Sequence, residues 1–434
     1  MLGGGGSSPP WGAMEWSGQQ SSALHDGGAW LRAPFRRDQQ IYRIFGYAGV
    51  GKTTIARELV GDSGLKVLFA TYTGKAAYVM RSKGCEGCTT IHSLIYKPAG
   101  ESKSDQLRAA EQALLNFDFS EKSSKLDEEE RIRQREQLER RRDEIMLKEK
   151  RKPMFSLNYD SELADADAII IDECSMVDEQ MGTDLLSFGK KILVLGDPAQ
   201  LPPVGSGGFF TEAKPDHLLT EVHRHAKESG ILRLATDVRT SGGFSRQPGF
   251  YGSDCIVARR EEIEDFQRRV LEADQILVGK NATRHTHNAR FRELTDKGPG
   301  VAPVGGDKIV CLRNNHKAGL LNGSLWRVHE AAEDIDSETI DLTISSEEDG
   351  SNGIQVSAWS HHFYGREDQL KLKKWGKTDH NEFDYGYALT VHKAQGSQWD
   401  DVVLFDESWV FRNDKRRWLY TGVTRAAKNL VVVV

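Results

Sequence analysis

The sequence is short of several things, and each shortage excludes a class of protein. Cysteine is one: there are five in 434 residues. That does not make a disulfide framework, and a reducing, cytosolic setting is expected. No apolar run approaches the roughly 20 residues of a spanning helix, so no membrane partner is expected. The N-terminus lacks a basic segment followed by an apolar one, so no secretory signal is read there. Positive charge is not in excess either: 58 Lys and Arg against 64 Asp and Glu leave a net charge of −6. That excludes a protein held to nucleic acid by bulk charge. A local basic groove remains open, because a partner feels the local field and not the sum.

What is present points to an α/β protein. At roughly 150 residues per domain the chain makes about three folding units. Residues 1–15, rich in Gly, Ser and Pro, read as a flexible arm, and compact sequence begins near Trp16. From Ile41 short apolar runs alternate with helical stretches. IYRIF, KVLFATYT, DAIIID and KKILVLGD read as strands, and TTIARELV and GKAAYVMRS as helices. Such runs, separated by helices, are the signature of a parallel sheet covered on both faces.

Residues 101–152 break this texture. Glu, Asp, Lys and Arg dominate 121–152, and Leu126, Ile132, Leu138 and Ile145 recur at roughly two-turn spacing. The pattern fits a helical hairpin or short antiparallel coiled coil, or a solvated charged helix. A second alternating region starts near Gln275 with DQILVGK and NATRHTHNARFRELTDKG. From about 303 to 380 short β-runs with turns suggest a small barrel or sheet inserted into the second lobe. DDVVLF, RRWLYTGVTRAAK and NLVVVV return to strand, helix and strand; the last apolar run is expected to be paired within the sheet.

The strongest local signal is Gly46-Tyr47-Ala48-Gly49-Val50-Gly51-Lys52-Thr53, a GxxxxGK[ST] loop after a strand and opening a helix. Glycines let the backbone wrap a phosphate with its N–H groups turned inward, and the helix adds its positive dipole end. Lys52 would bring charge to the β/γ-phosphates, and the Thr53 hydroxyl would ligate Mg2+. Asp172, at the end of the run AIIID, can hold the magnesium shell, and Glu173 is placed to orient or deprotonate the attacking water. Gln200, in GDPAQLPPV after the strand KKILVLG, can hydrogen-bond a γ-phosphate or that water. Arg224 and Arg425 can supply positive charge to the transferring phosphoryl group.

These segments, in this order, resemble the superfamily 1B helicases, the group of RecD-like, Dda-like and Pif1-like enzymes. The resemblance runs from Trp16 to Val434. GYAGVGKTT is similar to motif I, ATYTGKAA to motif Ia, TTIHSLIY to the DNA-contacting segment after it, and IIIDECSMVD to motif II. LGDPAQLPPV is similar to motif III, LTEVHRH to motif IV, YALTVHKAQGSQWDDVV to motif V and LYTGVTRAAKNLVVV to motif VI. The resemblance implies two RecA-like lobes with parallel sheets. Its domains would be 16–97 with 153–240 (lobe 1A), a charged helical insertion at 98–152 (the 1B position), 241–302 with 381–434 (lobe 2A), and an SH3-like β insertion at 303–380 (2B).

The resemblance also implies the site. Gln20, or its neighbour Gln19, would read adenine. Gly46, Gly49, Gly51, Lys52, Thr53 and Thr54 would hold the nucleotide, with Thr53 and Asp172 on Mg2+. Gln395 and Gly396 would lie near the γ-phosphate, and Arg224 and Arg425 would be arginine fingers. Thr73, His92, Pro203, Thr390, His392 and Lys393 would face single-stranded DNA. Tyr72 stands where the pattern has proline; it would stack on a base or serve as a core aromatic.

The implied function is an ATP-dependent helicase that translocates on single-stranded DNA, 5′ to 3′, and unwinds duplex. Its partners would be single-stranded and forked DNA and replication or recombination proteins, in the cytoplasm of a bacterial or phage-infected cell, and a monomer is compatible. An ATP-driven translocase that displaces proteins with little unwinding stays open, because 101–152 departs from the pattern. Cys85 and Cys88 form a lone CxxC without a matching second pair, and Cys174 reads as a small packed residue.

Overall fold

Two runs of buried apolar residues set the first lobe. Ala168–Asp172 and Lys191–Gly196 are buried along their whole length, as strands covered on both faces must be. They lie at the centre of a six-stranded sheet, all parallel. Its order is Thr89–Thr90, Val67–Thr71, Ala168–Asp172, Lys191–Gly196, Ile41–Gly46 and His217–Leu219. This computed structural model describes residues 16–61, 63–98, 110, 112–114, 117, 128–150, 155–202, 208–221, 228–241, 249–297, 302–315, 318–332, 338–347, 353–365 and 380–434.

Helix Gly18–Arg32 starts in a capping box, Ser17 with Gln20, which satisfies two otherwise orphaned N–H groups. Its other end is held by Lys191, whose Nζ donates to the carbonyls of Trp30 (2.7 Å), Leu31 (2.9 Å) and Ala33. A cation on a helix's last carbonyls offsets the dipole. Helix Lys52–Gly61 packs Ile55 and Leu59 against Ile44 and Leu193 of the sheet.

The second lobe repeats the plan. Its sheet runs Ala388–Thr390, Gln275–Val278, Trp399–Phe405, Ala426–Val433, Cys255–Ala258 and Gly249–Phe250, parallel except for the last pair. The final strand is paired on both sides. Helix Lys415–Val423 buries Trp418 and Tyr420 against Leu404 and Val432. The two parallel sheets are the two RecA-like lobes.

A third sheet of five antiparallel strands runs Ile354–Trp359, Thr339–Ser346, Leu325–Ala331, Lys308–Cys311 and Phe383–Tyr385. Buried ion pairs tie it to helix Asn281–Leu294: Arg284 with Asp384 at 2.5 Å, and Arg292 with Asp307 at 3.1 Å.

Residues His92–Ala164 form a unit of their own. Strands Tyr96–Pro98 and Phe155–Leu157 pair antiparallel, and the His92 ring packs 4.8 Å from Tyr96 and 4.5 Å from Phe155. Within the charged stretch, Glu128–Lys150 forms a long helix. Ile132 is 51% exposed, so that side chain seals no seam. Leu126 lies outside the described residues. Among the described residues no helix is long and apolar enough to cross a membrane.

Candidate nucleotide and nucleic-acid site

Strand Ile41–Gly46 delivers the chain into the phosphate loop, and helix Lys52–Gly61 leaves it. Gly49 and Gly51 have φ of +78° and +81°, a region that side chains with a Cβ rarely adopt. A Cβ on Gly46 would meet Val50 Cγ2 at 2.6 Å. Lys52 Nζ donates to the carbonyls of Gly46 (2.7 Å) and Tyr47 (3.1 Å), so the ammonium sits within the loop. Thr53 Oγ1 donates to Asp172 Oδ2 at 3.2 Å. Thr54 follows on the same helix, partly buried.

Asp172 and Asp197 end the two central strands, where both are buried. Burial pushes the Asp172 carboxyl up, Glu173 adds to the rise, and Lys52 opposes it. Burial likewise raises Asp197 against the pull of Lys52 and a hydrogen bond from Tyr420. Glu173 has φ +53° in the left-handed region, which costs a non-glycine residue about 1–3 kcal/mol. Its N–H donates to Asp172 Oδ1 at 2.8 Å. Gln200 is buried, and its Oε1 has no hydrogen-bond partner among the described residues. A buried acceptor in this position asks for a donor.

These observations fit a magnesium nucleotide. The loop's backbone suits a polyphosphate, Thr53 and Asp172 offer adjoining oxygens for Mg2+, and the raised carboxyls favour added positive charge.

The second lobe reaches this site through helix Lys415–Val423 and the turn after Thr390. Tyr420 accepts a hydrogen bond from the Ala48 N–H of the phosphate loop (3.0 Å) and donates to Asp197 Oδ2 (2.7 Å). Leu201 is gripped at both backbone groups. Its N–H donates to Thr421 Oγ1, and Gln395 Nε2 donates to its carbonyl, both at 2.9 Å. Arg425 is buried and donates to the carbonyls of Thr421 (3.1 Å) and Ser397 (3.0 Å) and to Thr424 Oγ1 (3.3 Å). Arg239 stacks its guanidinium on the Tyr47 ring at 3.7 Å. A cavity of about 460 Å³ opens here, lined by Tyr47, Ala199, Arg239, Arg416, Arg417 and Tyr420.

Sequence reading missed Asp197, Arg239 and Tyr420. Tyr420 sits one residue before Thr421 in WLYTGVTRA, and a buried phenol usually needs a polar partner; that was the available signal.

The remaining expected residues fall into several places. Gln20 is turned inward: its Oε1 accepts from Ser17 N–H (2.9 Å) and its Nε2 donates to the Val50 carbonyl (2.9 Å). Through that second bond it braces the phosphate loop. Gln19 binds the Thr220 hydroxyl with its Nε2 and accepts from the Thr220 N–H (2.7 Å) with its Oε1. Gly396 has φ +73°, and a Cβ there would lie 2.9 Å from Thr73 Oγ1. The turn holding Gln395 and Gly396 thus bridges the two lobes at Leu201 and Thr73.

Thr73 caps helix Gly74–Ser82 by accepting from Ala76 N–H, next to a half-buried Tyr72. Thr390 ends its strand, and His392 lies 5.2 Å from the Phe411 ring. Lys393 donates to Asn322, in the turn before strand Leu325–Ala331, and burial pushes its ammonium down. His92 belongs to the separate unit. Arg224 and Pro203 lie outside the described residues. Cys85, Cys88 and Cys174 are buried free thiols; burial pushes Cys85 up to about 11 and Cys88 to about 12. Gly196 leaves room for Cys174, whose Sγ would lie 2.6 Å from a Cβ there.

Comparison with known proteins gives two family matches: an AAA domain over residues 29–245, half of the chain, and a UvrD-like helicase C-terminal domain over residues 385–433. The ATP-dependent RecD2 DNA helicase of Deinococcus radiodurans is 26% identical over 295 residues, covering 61% of this chain and 36% of that protein. The RecBCD enzyme subunit RecD of Mycolicibacterium smegmatis is 24% identical over 289 residues, covering 62% and 50%. The chain thus spans about a third to a half of the length of these relatives. Among solved structures, a Pif1 helicase studied for unwinding at forked double-stranded DNA matches with a TM-score of 0.50 at 17% identity, covering 97% of this chain and 92% of its own. A Pif1 helicase from Bacteroides in complex with ADP-AlF3 and single-stranded DNA matches with a TM-score of 0.50 at 15% identity, covering 97% and 93%. At these identities the structural likeness speaks for the fold.

Proposed function

The chain belongs to the superfamily 1B helicases, and on that premise we propose that it hydrolyses ATP to move along single-stranded DNA, 5′ to 3′, and to part a duplex. The observation that carries the reading is the seam. Tyr420, Thr421 and Gln395 of the second lobe are hydrogen-bonded to the phosphate loop and to the turn holding Gln200. A change at the phosphates therefore has a short mechanical route into the other lobe.

In this reading Lys52 binds the β/γ-phosphates and the loop amides around Gly49 and Gly51 cradle them. Mg2+, when bound by Thr53 and Asp172, neutralises phosphate charge. Glu173 orients and deprotonates the attacking water, and Gln200 offers its unpartnered oxygen to that water's second proton. Arg425 approaches from the second lobe. Its guanidinium has five donors, and its three bonds within the lobe leave others for a phosphoryl oxygen. Arg224 supplies the second guanidinium.

Binding draws the lobes together because both contact the triphosphate, and hydrolysis removes those contacts. Tyr72, Thr73, His92, Pro203, Thr390, His392 and Lys393 hold the strand, with a different grip in each state, so that each cycle yields a step. DNA as the track is supported by relatives named as DNA helicases, and the 5′-to-3′ direction by the family resemblance.

The test is steady-state ATP hydrolysis with and without single-stranded oligonucleotide over a range of salt. The rate rises with the strand, and the concentration of strand needed rises with salt, because phosphate contacts release counterions. A rate that stays flat on adding strand contradicts the coupling.

A further inference from the structure

We propose that Tyr420 is a positioning residue for ATP hydrolysis, its hydroxyl holding the phosphate loop and the turn of Asp197 and Gln200 in register with the second lobe. The inference rests on the ATPase reading proposed for this site. It goes beyond the motif residues by assigning the transmission to one oxygen atom.

A phenol hydroxyl donates one hydrogen bond and accepts others. Here both capacities are used, and by different elements: the Ala48 N–H on one side at 3.0 Å and Asp197 Oδ2 on the other at 2.7 Å. Both partners lie in the first lobe, while Tyr420 is carried by helix Lys415–Val423 of the second, where residues Trp418 to Val423 are all buried. The ring is 2% exposed, so the hydroxyl is fixed by packing. Burial and the neighbouring Asp197 charge keep the phenol protonated, and it stays a donor.

Asp197 is the other half of the device. Its Oδ1 accepts from the Ala199 N–H at 3.0 Å, and its carbonyl accepts from the Gln200 N–H at 3.2 Å. The carboxylate thus shapes the turn that presents Gln200, and Tyr420 fixes where that carboxylate stands relative to the third residue of the phosphate loop. Five residues after Tyr420 comes Arg425, whose guanidinium is bonded to the Thr421 carbonyl of the same helix. A shift of this helix therefore moves the Gln200 turn and the Arg425 guanidinium together.

The experiment uses the full chain with Tyr420→Phe, which keeps the ring and removes the oxygen. The readouts are the thermal midpoint, the affinity for a single-stranded oligonucleotide, the KM for ATP, and kcat with and without the oligonucleotide. Removing a hydrogen bond to a charged group that is stronger in the transition state than in the ground state lowers kcat, here by about tenfold or more. The expected result is that fall in stimulated kcat, a smaller ratio of stimulated to basal rate, a KM within about twofold and an unchanged strand affinity, with a modestly lowered thermal midpoint because the Ala48 N–H and Asp197 Oδ2 lose this partner. Wild-type kcat and stimulation in the variant overturn the inference. So do basal and stimulated rates that fall in equal proportion, since that marks packing alone. If the wild-type chain itself shows no stimulation by the strand, the ATPase-motor reading fails and not the role of Tyr420 within it.

Discussion

Lys52 is the side chain on which the phosphate site turns. Its ammonium already lies among the loop carbonyls of Gly46 and Tyr47 and acts on both buried acids, Asp172 and Asp197. Lys52→Ala is expected to abolish ATP hydrolysis and leave single-strand binding near wild type, because no residue assigned to the strand touches it. Turnover retained in that variant would contradict the assignment. The loop was legible in the sequence because its chemistry is local: eight consecutive residues carry the glycines, the lysine and the threonine. Tyr420 was not, because its two partners lie 372 and 223 residues away along the chain. Gln20 was singled out by the resemblance alone, and its bond to the Val50 carbonyl, 30 residues along the chain, was no more readable than that of Tyr420.

At the scale of elements, the strands were legible wherever burial on both faces forced continuous apolar runs, as in Ala168–Asp172 and Lys191–Gly196. The charged stretch was less so. Its apolar spacing allowed a hairpin, yet helix Glu128–Lys150 leaves Ile132 half exposed, and i,i+4 pairs such as Arg135 with Glu139 decorate its surface. Helix ends capped from elsewhere in the chain were also unreadable. Glu407 is one: it accepts from the N–H groups of Gly279 (2.7 Å) and Lys280 (3.0 Å) and from Thr283 Oγ1 (2.7 Å) at the start of helix Asn281–Leu294.

Burial pushes the Glu407 carboxyl up, but the hydrogen bonds from Thr283, Lys280 and Gly279 outweigh it, and the group lies below its ordinary value. A depressed carboxylate contributes stability that is full above its unfolded pKa and lost as the pH falls through its folded pKa. Glu407→Gln is therefore expected to destabilise by roughly 1–3 kcal/mol at neutral pH. The gap between variant and wild type should close below the ordinary carboxylate pKa of about 4.3. Thermal melts across pH check this, and a gap that stays constant into acid would contradict it.

At the scale of the molecule, two parallel-sheet lobes meet where the phosphate loop, the acids of the central strands and the helix carrying Tyr420 and Arg425 converge. Neither lobe alone holds all these groups, which is why closing the seam and cleaving the phosphate are one event in the proposed cycle. In the proposed cycle the net charge of −6 leaves strand binding to local basic groups, so binding should be salt-sensitive although the chain as a whole is acidic. The central claim is that this seam converts ATP into directed travel on DNA that parts a duplex. Strand displacement, followed with ATP and Mg2+ on otherwise identical duplexes bearing a 5′ or a 3′ single-stranded tail, tests it most directly. The expected result is ATP-dependent release of the displaced strand from the 5′-tailed duplex and little from the 3′-tailed one; release from neither, or release that does not need ATP, would contradict it.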